Sequence, residues 1–182
     1  MSVYANVVFL HLAAMAGLFI GYGLEWTATA RLRASTRANA VRTWLGMYRL
    51  SLPLSGPALL VLILTGGYMA GVTGSSKEGW IVASLLGIVV ALGIGFVLLL
   101  PRMKRIKAAL PEGDVALSAD GLALVQDAVI VTLIRMRLFL ALGIVYLMTV
   151  KPALFTSIAA LCAAMVIGIL FSAGAWSKPA AN

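Results

Sequence analysis

Along most of this chain apolar positions do not alternate with polar ones; they run on for some twenty residues at a time. A bilayer core about 30 Å thick takes roughly 20 apolar residues as an α-helix. Four stretches meet that length or nearly do, at residues 3–24, 52–72, 80–100 and 153–175. A fifth, 128–150, is apolar except for Arg135 and Arg137, and Lys151 and Pro152 leave only a tight turn between it and the last. The pattern predicts an all-α, polytopic transmembrane bundle of five spans forming one domain over residues 1–182. Four spans is the alternative, if the arginine-bearing segment lies in the interface.

The connections read differently. Between 35 and 50, Val41, Trp44, Leu45 and Tyr48 recur on one helix face with Arg37, Arg42 and Arg49 off it. This predicts a basic amphipathic helix resting on the inner leaflet, against anionic lipid or a protein partner. Pro53 and Pro57, four residues apart, predict a kinked or delayed start to the second span. Residues 102–127 form the one polar connection, in which Ser118, Asp120 and Gly121 are placed to open the helix that becomes the fourth span. No internal repeat is visible.

Composition sharpens this picture. Hydrophobic residues make up 62% of the 182 and charged residues 11%, with a mean hydropathy of +1.04. That leaves too little polar surface to cover a soluble core and excludes disorder. The net charge of +8 comes largely from two loops. Arg31, Arg33, Arg37, Arg42 and Arg49 follow the first span, and Arg102, Lys104, Arg105 and Lys107 follow the third. Positive loops stay cytoplasmic, so the N-terminus is expected outside and the C-terminus, with Lys178, inside. Topology thereby accounts for the charge without nucleic acid. Neither a charged leader region nor a cleavage site marks the N-terminus as a signal peptide, and the first span is read as retained.

Small residues are placed to let helices approach closely: Ala13, Gly17 and Gly21 on the first span, Gly67 and Gly71 on the second, Gly87 and Ala91 on the third. Such packing fits one bundle, a homo-oligomer or a membrane-protein partner equally well.

Ionisable groups inside a span cost about 2.5–3.5 kcal/mol at the centre on insertion scales and usually face protein. On the first span His11, Met15, Leu18, Tyr22 and Glu25 share one stripe; on the fourth, Arg135, Leu142, Tyr146 and Thr149 share another. The two spans run antiparallel, so Glu25 and Arg135 are expected near one level, as an ion pair. The alternative keeps Glu25 just outside the hydrocarbon while Arg135 and Arg137 snorkel to the headgroups. His11 is expected as a buried imidazole bonded to Tyr146, Thr65 or Ser84, or as a ligand. With thioethers from Met69 and Met148 it suits Cu(I), or a haem iron held axially. One histidine and the single Cys162 exclude multi-histidine zinc sites and cysteine clusters.

The runs NVVFLHLAAMAGLFIGYGLEW, LTGGYMAG, GWIVASLLGIVVALG closing in LLPRMKRI, and ALGIVYLMTVKP resemble a group of bacterial predicted integral-membrane proteins of unknown function, of the DUF2269 type. That group is distantly similar to the CopD copper-resistance family and to the membrane protoporphyrinogen oxidases. The resemblance implies a small helical bundle with a first-span histidine, matched by His11; the lysine expected from the oxidases has no counterpart here. No nucleophile–base pair, acidic dyad or phosphate loop appears. The expectation is therefore a non-enzymatic, multi-pass protein of the bacterial inner membrane with no catalytic residue and no cofactor. The alternatives are a haem- or copper-handling protein and a small transporter.

Overall fold

A backbone surrounded by hydrocarbon has no water to bond, so its amides must pair within each segment. In the computed structural model, which describes residues 2–177, they do so almost entirely as helix. Helix α1 is Val3–Arg33, α2 is Ala38–Val72, and α3 is Gly79–Gly93. A π-helical segment, Ile94–Leu99, joins α3 to α4, Leu100–Ala108; then follow α5 (Ala119–Val125), α6 (Ala128–Val150), α7 (Leu154–Phe171) and α8 (Ala173–Trp176). Taken as continuous rods, five of these are long and apolar enough to cross a bilayer.

α1 and α2 form an antiparallel hairpin packed along most of its length, and α6 with α7 forms another. α3 lies against α6 and α7, and α1 against α6. Among the described residues, α2 and α3 share the turn that joins them but do not pack side by side. The outward faces carry Phe9, Ile20, Leu64, Val89, Phe96, Phe155 and Leu170, all exposed, as lipid contact requires.

Close approach sets the helix pairings. A Cβ on Gly21 would stand 2.9 Å from Ser55 Cβ, and one on Gly168 would stand 2.9 Å from the Met136 Cα. Gly87 likewise receives Ile144 and Leu161. Gly67 and Gly71, expected to do the same for α2, face open space with nothing within 4 Å. Glycine spacing alone does not reveal which face meets a neighbour.

Two expectations about the basic end are corrected. α2 runs unbroken through Pro53 and Pro57, so residues 38–50 are not a separate helix lying on the leaflet. They extend the second span, and Val41, Leu45 and Tyr48 are buried with Leu32, Leu99, Met103 and Ile106 in the main hydrophobic cluster. The stripe faces protein because the end of α1, the π segment, α4 and the start of α6 offer it an apolar wall. Ser118 does cap a helix, accepting from Gly121 N, but that helix is the short α5. The span itself restarts at Ala128, where Asp127 accepts from Val129 N. Lys178, invoked for orientation, lies outside the described residues.

The polar connection is fastened to the start of α2. Arg37 donates to Asp114 Oδ2 at 3.0 Å and to its carbonyl at 2.7 Å, and Arg42 donates to the carbonyls of Gly113 (2.8 Å) and Pro111. The backbones pair as well, Ala38 N to Val115 O and Leu117 N to Thr36 O. The Arg37 guanidinium beside Asp114 holds its carboxyl below the usual aspartate range. A depressed pKa contributes stability above the unfolded value that is lost as pH falls through the folded one. We expect Asp114→Asn to speed amide exchange at Ala38 and Leu117 at neutral pH. The difference from wild type should vanish in acid, below the ordinary aspartate value.

Candidate functional site

The inward stripe of α1 is as expected: His11, Leu18, Tyr22 and Glu25 are all buried. Glu25 is only 1% exposed. Its partner is not the one anticipated. Arg137 Nη1 donates to Glu25 Oε2 at 2.8 Å, whereas Arg135 turns away. Its guanidinium lies 4.6 Å from the centre of the Trp26 ring and donates to the Phe171 carbonyl.

The reason lies in the choice of helix face. Leu142, Tyr146 and Thr149, which share Arg135's side of α6, are exposed. The inward stripe runs through the buried Ile130, Ile134 and Ala141 and the partly buried Arg137 and Ile144, spaced i, i+4, i+11, i+7 and i+14. That spacing was available in the sequence. Axial level alone brings Arg135 and Arg137 equally close to Glu25; the apolar face of α6 selects Arg137.

Around the pair, Ser51 Oγ stands 3.1 Å from Glu25 Oε1 and 2.7 Å from the Tyr48 carbonyl, so its single proton serves one acceptor at a time. Tyr22 presents its ring to the Arg137 guanidinium at 4.9 Å. Across from it the π segment brings Gly95 so close that a Cβ there would be 3.4 Å from Arg137 Cζ. Arg137 Nε is buried without a hydrogen-bond partner among the described residues.

These groups close one end of a cavity of about 160 Å³. Its remaining walls are Leu18, Leu52, Leu59, Ile88, Leu92 and Phe96, and it lies where α2 and α3 stand apart. Ser51, Gly95 and Arg137 are the functional residues that the sequence reading missed. Tyr48 was seen only as part of a lipid-facing stripe.

His11 meets one of its three expected partners. Its Nδ1 lies 2.8 Å from Thr65 Oγ1. Thr65 Oγ1 also lies 2.6 Å from the Val61 carbonyl; with its proton directed there, the imidazole donates from Nδ1 and keeps its lone pair on Nε2. Tyr146 is exposed, and Ser84 donates to the Trp80 carbonyl instead. Met69 and Met148 are each partly buried. No cluster of three or more His, Cys, Asp or Glu gathers among the described residues.

Long apolar helices around a buried ion pair define an integral membrane protein of the multi-pass helical class. A family model described as predicted integral membrane protein (DUF2269) matches residues 5–152, and the chain belongs to that family. No match is found among curated proteins or solved structures. The family match says nothing of copper, haem or porphyrin.

Breaking a buried pair from one side leaves an uncompensated charge, at about 3–5 kcal/mol. Glu25→Ala and Arg137→Ala should each lower the melting temperature of the detergent-purified protein strongly. Arg135→Ala, removing a half-solvated group, should lower it far less. A double-mutant cycle should give a large coupling for Glu25 with Arg137 and almost none for Glu25 with Arg135; the opposite ranking would refute the pairing.

Proposed function

We propose that this is a non-enzymatic protein of the bacterial inner membrane that takes a neutral lipophile sideways from the bilayer into the cleft between α2 and α3. The unpartnered Arg137 Nε beside a charge-balanced ion pair, at the closed end of an apolar cavity, carries this reading. Glu25 and Arg137 cancel, so a second carboxylate would meet the first at short range, whereas a carbonyl or ether oxygen would find a donor and no repulsion. Tyr22 and Tyr48 flank the same end, and the apolar walls receive a ring or a chain. At about 30 Å³ per water-sized share of volume, the space suits a small head group, its tail remaining between α2 and α3. The positive loops favour a cytoplasmic placement for this end of the bundle.

The probe is decylubiquinone, with decanoate as the charged control. At a hundredfold excess over Kd a ligand stabilises by about 2.7 kcal/mol, or roughly 5–10 °C in melting temperature for a chain of this size. Gly56 lines the cavity and faces open space, so Gly56→Leu should fill it without touching the ion pair and remove the shift. Equal stabilisation by decanoate, or a full shift in Gly56→Leu, would exclude this reading.

A second reading rests on the His11 tautomer. With Nδ1–H given to Thr65, Nε2 keeps a free lone pair, an arrangement that fixes metal-ligating histidines elsewhere. His11 with Met69 or Met148 would then hold Cu(I) or a haem iron. Stoichiometric copper or a Soret band in the purified protein, absent in His11→Ala, would establish it. Their absence from wild type would remove it.

A further inference from the structure

Arg135 and Arg137 leave α6 in roughly opposite directions, and the recess that Arg135 enters is separate from the cleft just described. It has a volume of about 570 Å³ and lies at the basic end of the bundle, between the last turns of α1, the start of α6 and the α7–α8 junction. Trp26, Thr29, Arg33, Gln126, Arg135 and Phe171 supply its polar and aromatic lining.

The two guanidiniums are held in place by carbonyls at one helix end. Arg33 Nη2 donates to the Ala175 carbonyl at 2.9 Å, and Arg135 Nη1 donates to that of Phe171. Trp26 backs Arg135 from below. Each fork thus has one arm tied to protein. Arg33 Nη1 is buried with no hydrogen-bond partner among the described residues. Gln126 Oε1 is equally orphaned, and an amide can present its NH₂ in place of its oxygen by a half-turn.

Among the described residues no carboxylate lines this space. Asp127, next in sequence to Gln126, is engaged by Arg102 at 3.4 Å. Two arginines facing one partly buried recess repel unless an anion comes between them. Planar guanidinium forks match a phosphate's oxygens in geometry as well as in charge. Trp176, whose indole donates to Thr132 Oγ1 at 3.1 Å, and Trp26 mark the depth at which aromatic rings meet headgroups.

We propose that this recess binds a phosphate-bearing anion between Arg33 and Arg135, supplied as the headgroup of an anionic phospholipid. The volume exceeds that of a phosphate alone and admits the glycerol on either side of a phosphodiester. Occupancy would tie α1 to the α7–α8 end through one shared ligand and so clamp the first and last spans together.

Native mass spectrometry of the full chain, released from detergent with added phosphatidylglycerol, phosphatidylcholine or inorganic phosphate, tests this. One phosphatidylglycerol should be held at least tenfold more tightly than phosphatidylcholine. Arg33→Gln and Arg135→Gln should each weaken it tenfold or more, and Arg49→Gln, an exposed cation on α2, should leave it unchanged. Because both arginines also cap α7 and α8, Ala30→Glu provides the independent arm. Ala30 is an exposed residue of the lining, so its replacement adds a competing carboxylate and removes no contact. It should abolish the tight lipid. Inorganic phosphate that binds as tightly as the lipid, and is lost in Ala30→Glu, would keep the anion site and make soluble phosphate its source. Unchanged phosphatidylglycerol binding in Ala30→Glu, or equal binding of phosphatidylcholine, would overturn the proposal.

Discussion

A carboxylate in hydrocarbon must be neutralised, and Glu25 is neutralised by one guanidinium reaching across from another helix at 2.8 Å. By helical rise, Arg137 stands thirteen residues, or about 20 Å, from the far end of α6. The pair therefore lies well inside the low-dielectric layer, where attraction is strong and desolvation costly. Satisfying it imposes conditions on four elements. α1 must present Glu25 inward, and α2 must bring Ser51 beside it. α6 must turn Arg137 rather than Arg135 to the centre, and the segment after α3 must yield room at Gly95. Most of the basic half of the bundle is arranged around those conditions.

Much of the architecture was legible before any coordinates. Twenty-residue apolar runs give the spans, and the inward stripe of α1 follows from a 100° period through His11, Leu18, Tyr22 and Glu25. What escaped were decisions made by neighbours. Residues 38–50 carry the pattern of an interfacial helix, and nothing local to them reveals that α4 and the end of α1 stand high enough to cover Val41, Leu45 and Tyr48. Gly67 and Gly71 have the same spacing as Gly17 and Gly21, yet only the latter pair meets α2; spacing is a property of one helix and contact of two. The choice between Arg135 and Arg137 is carried by the apolar period of α6, not by depth, which the two arginines nearly share.

Two arginines one residue apart in separation, pointing to different sides, divide the chemistry of this end of the molecule. One side is charge-balanced and narrow; the other is broad and lined by two arginines with no carboxylate among its described lining residues. On the two proposals above, a neutral lipophile and an anionic headgroup would be sorted by the same turn of α6, without a mobile part. The near absence of contact between α2 and α3 matters here too, because it leaves the first of these spaces a lateral entrance.

The π segment has a consequence of its own. Buried positions along the third span fall at Ala83, Gly87, Ala91 and Ile94, then skip to Leu99, Met103 and Ile106. The step of five occurs once, and the inward row keeps its heading on both sides. A π turn of this kind behaves as a single surplus residue absorbed into an otherwise regular rod. Losing one of the outward-facing Phe96 or Val97 would let the rod close to ordinary α pitch with Met103 and Ile106 still directed home. The chain would keep its interior and give up the loosened coil that makes space for a guanidinium. A one-residue gap at this spot in a relative would record that trade.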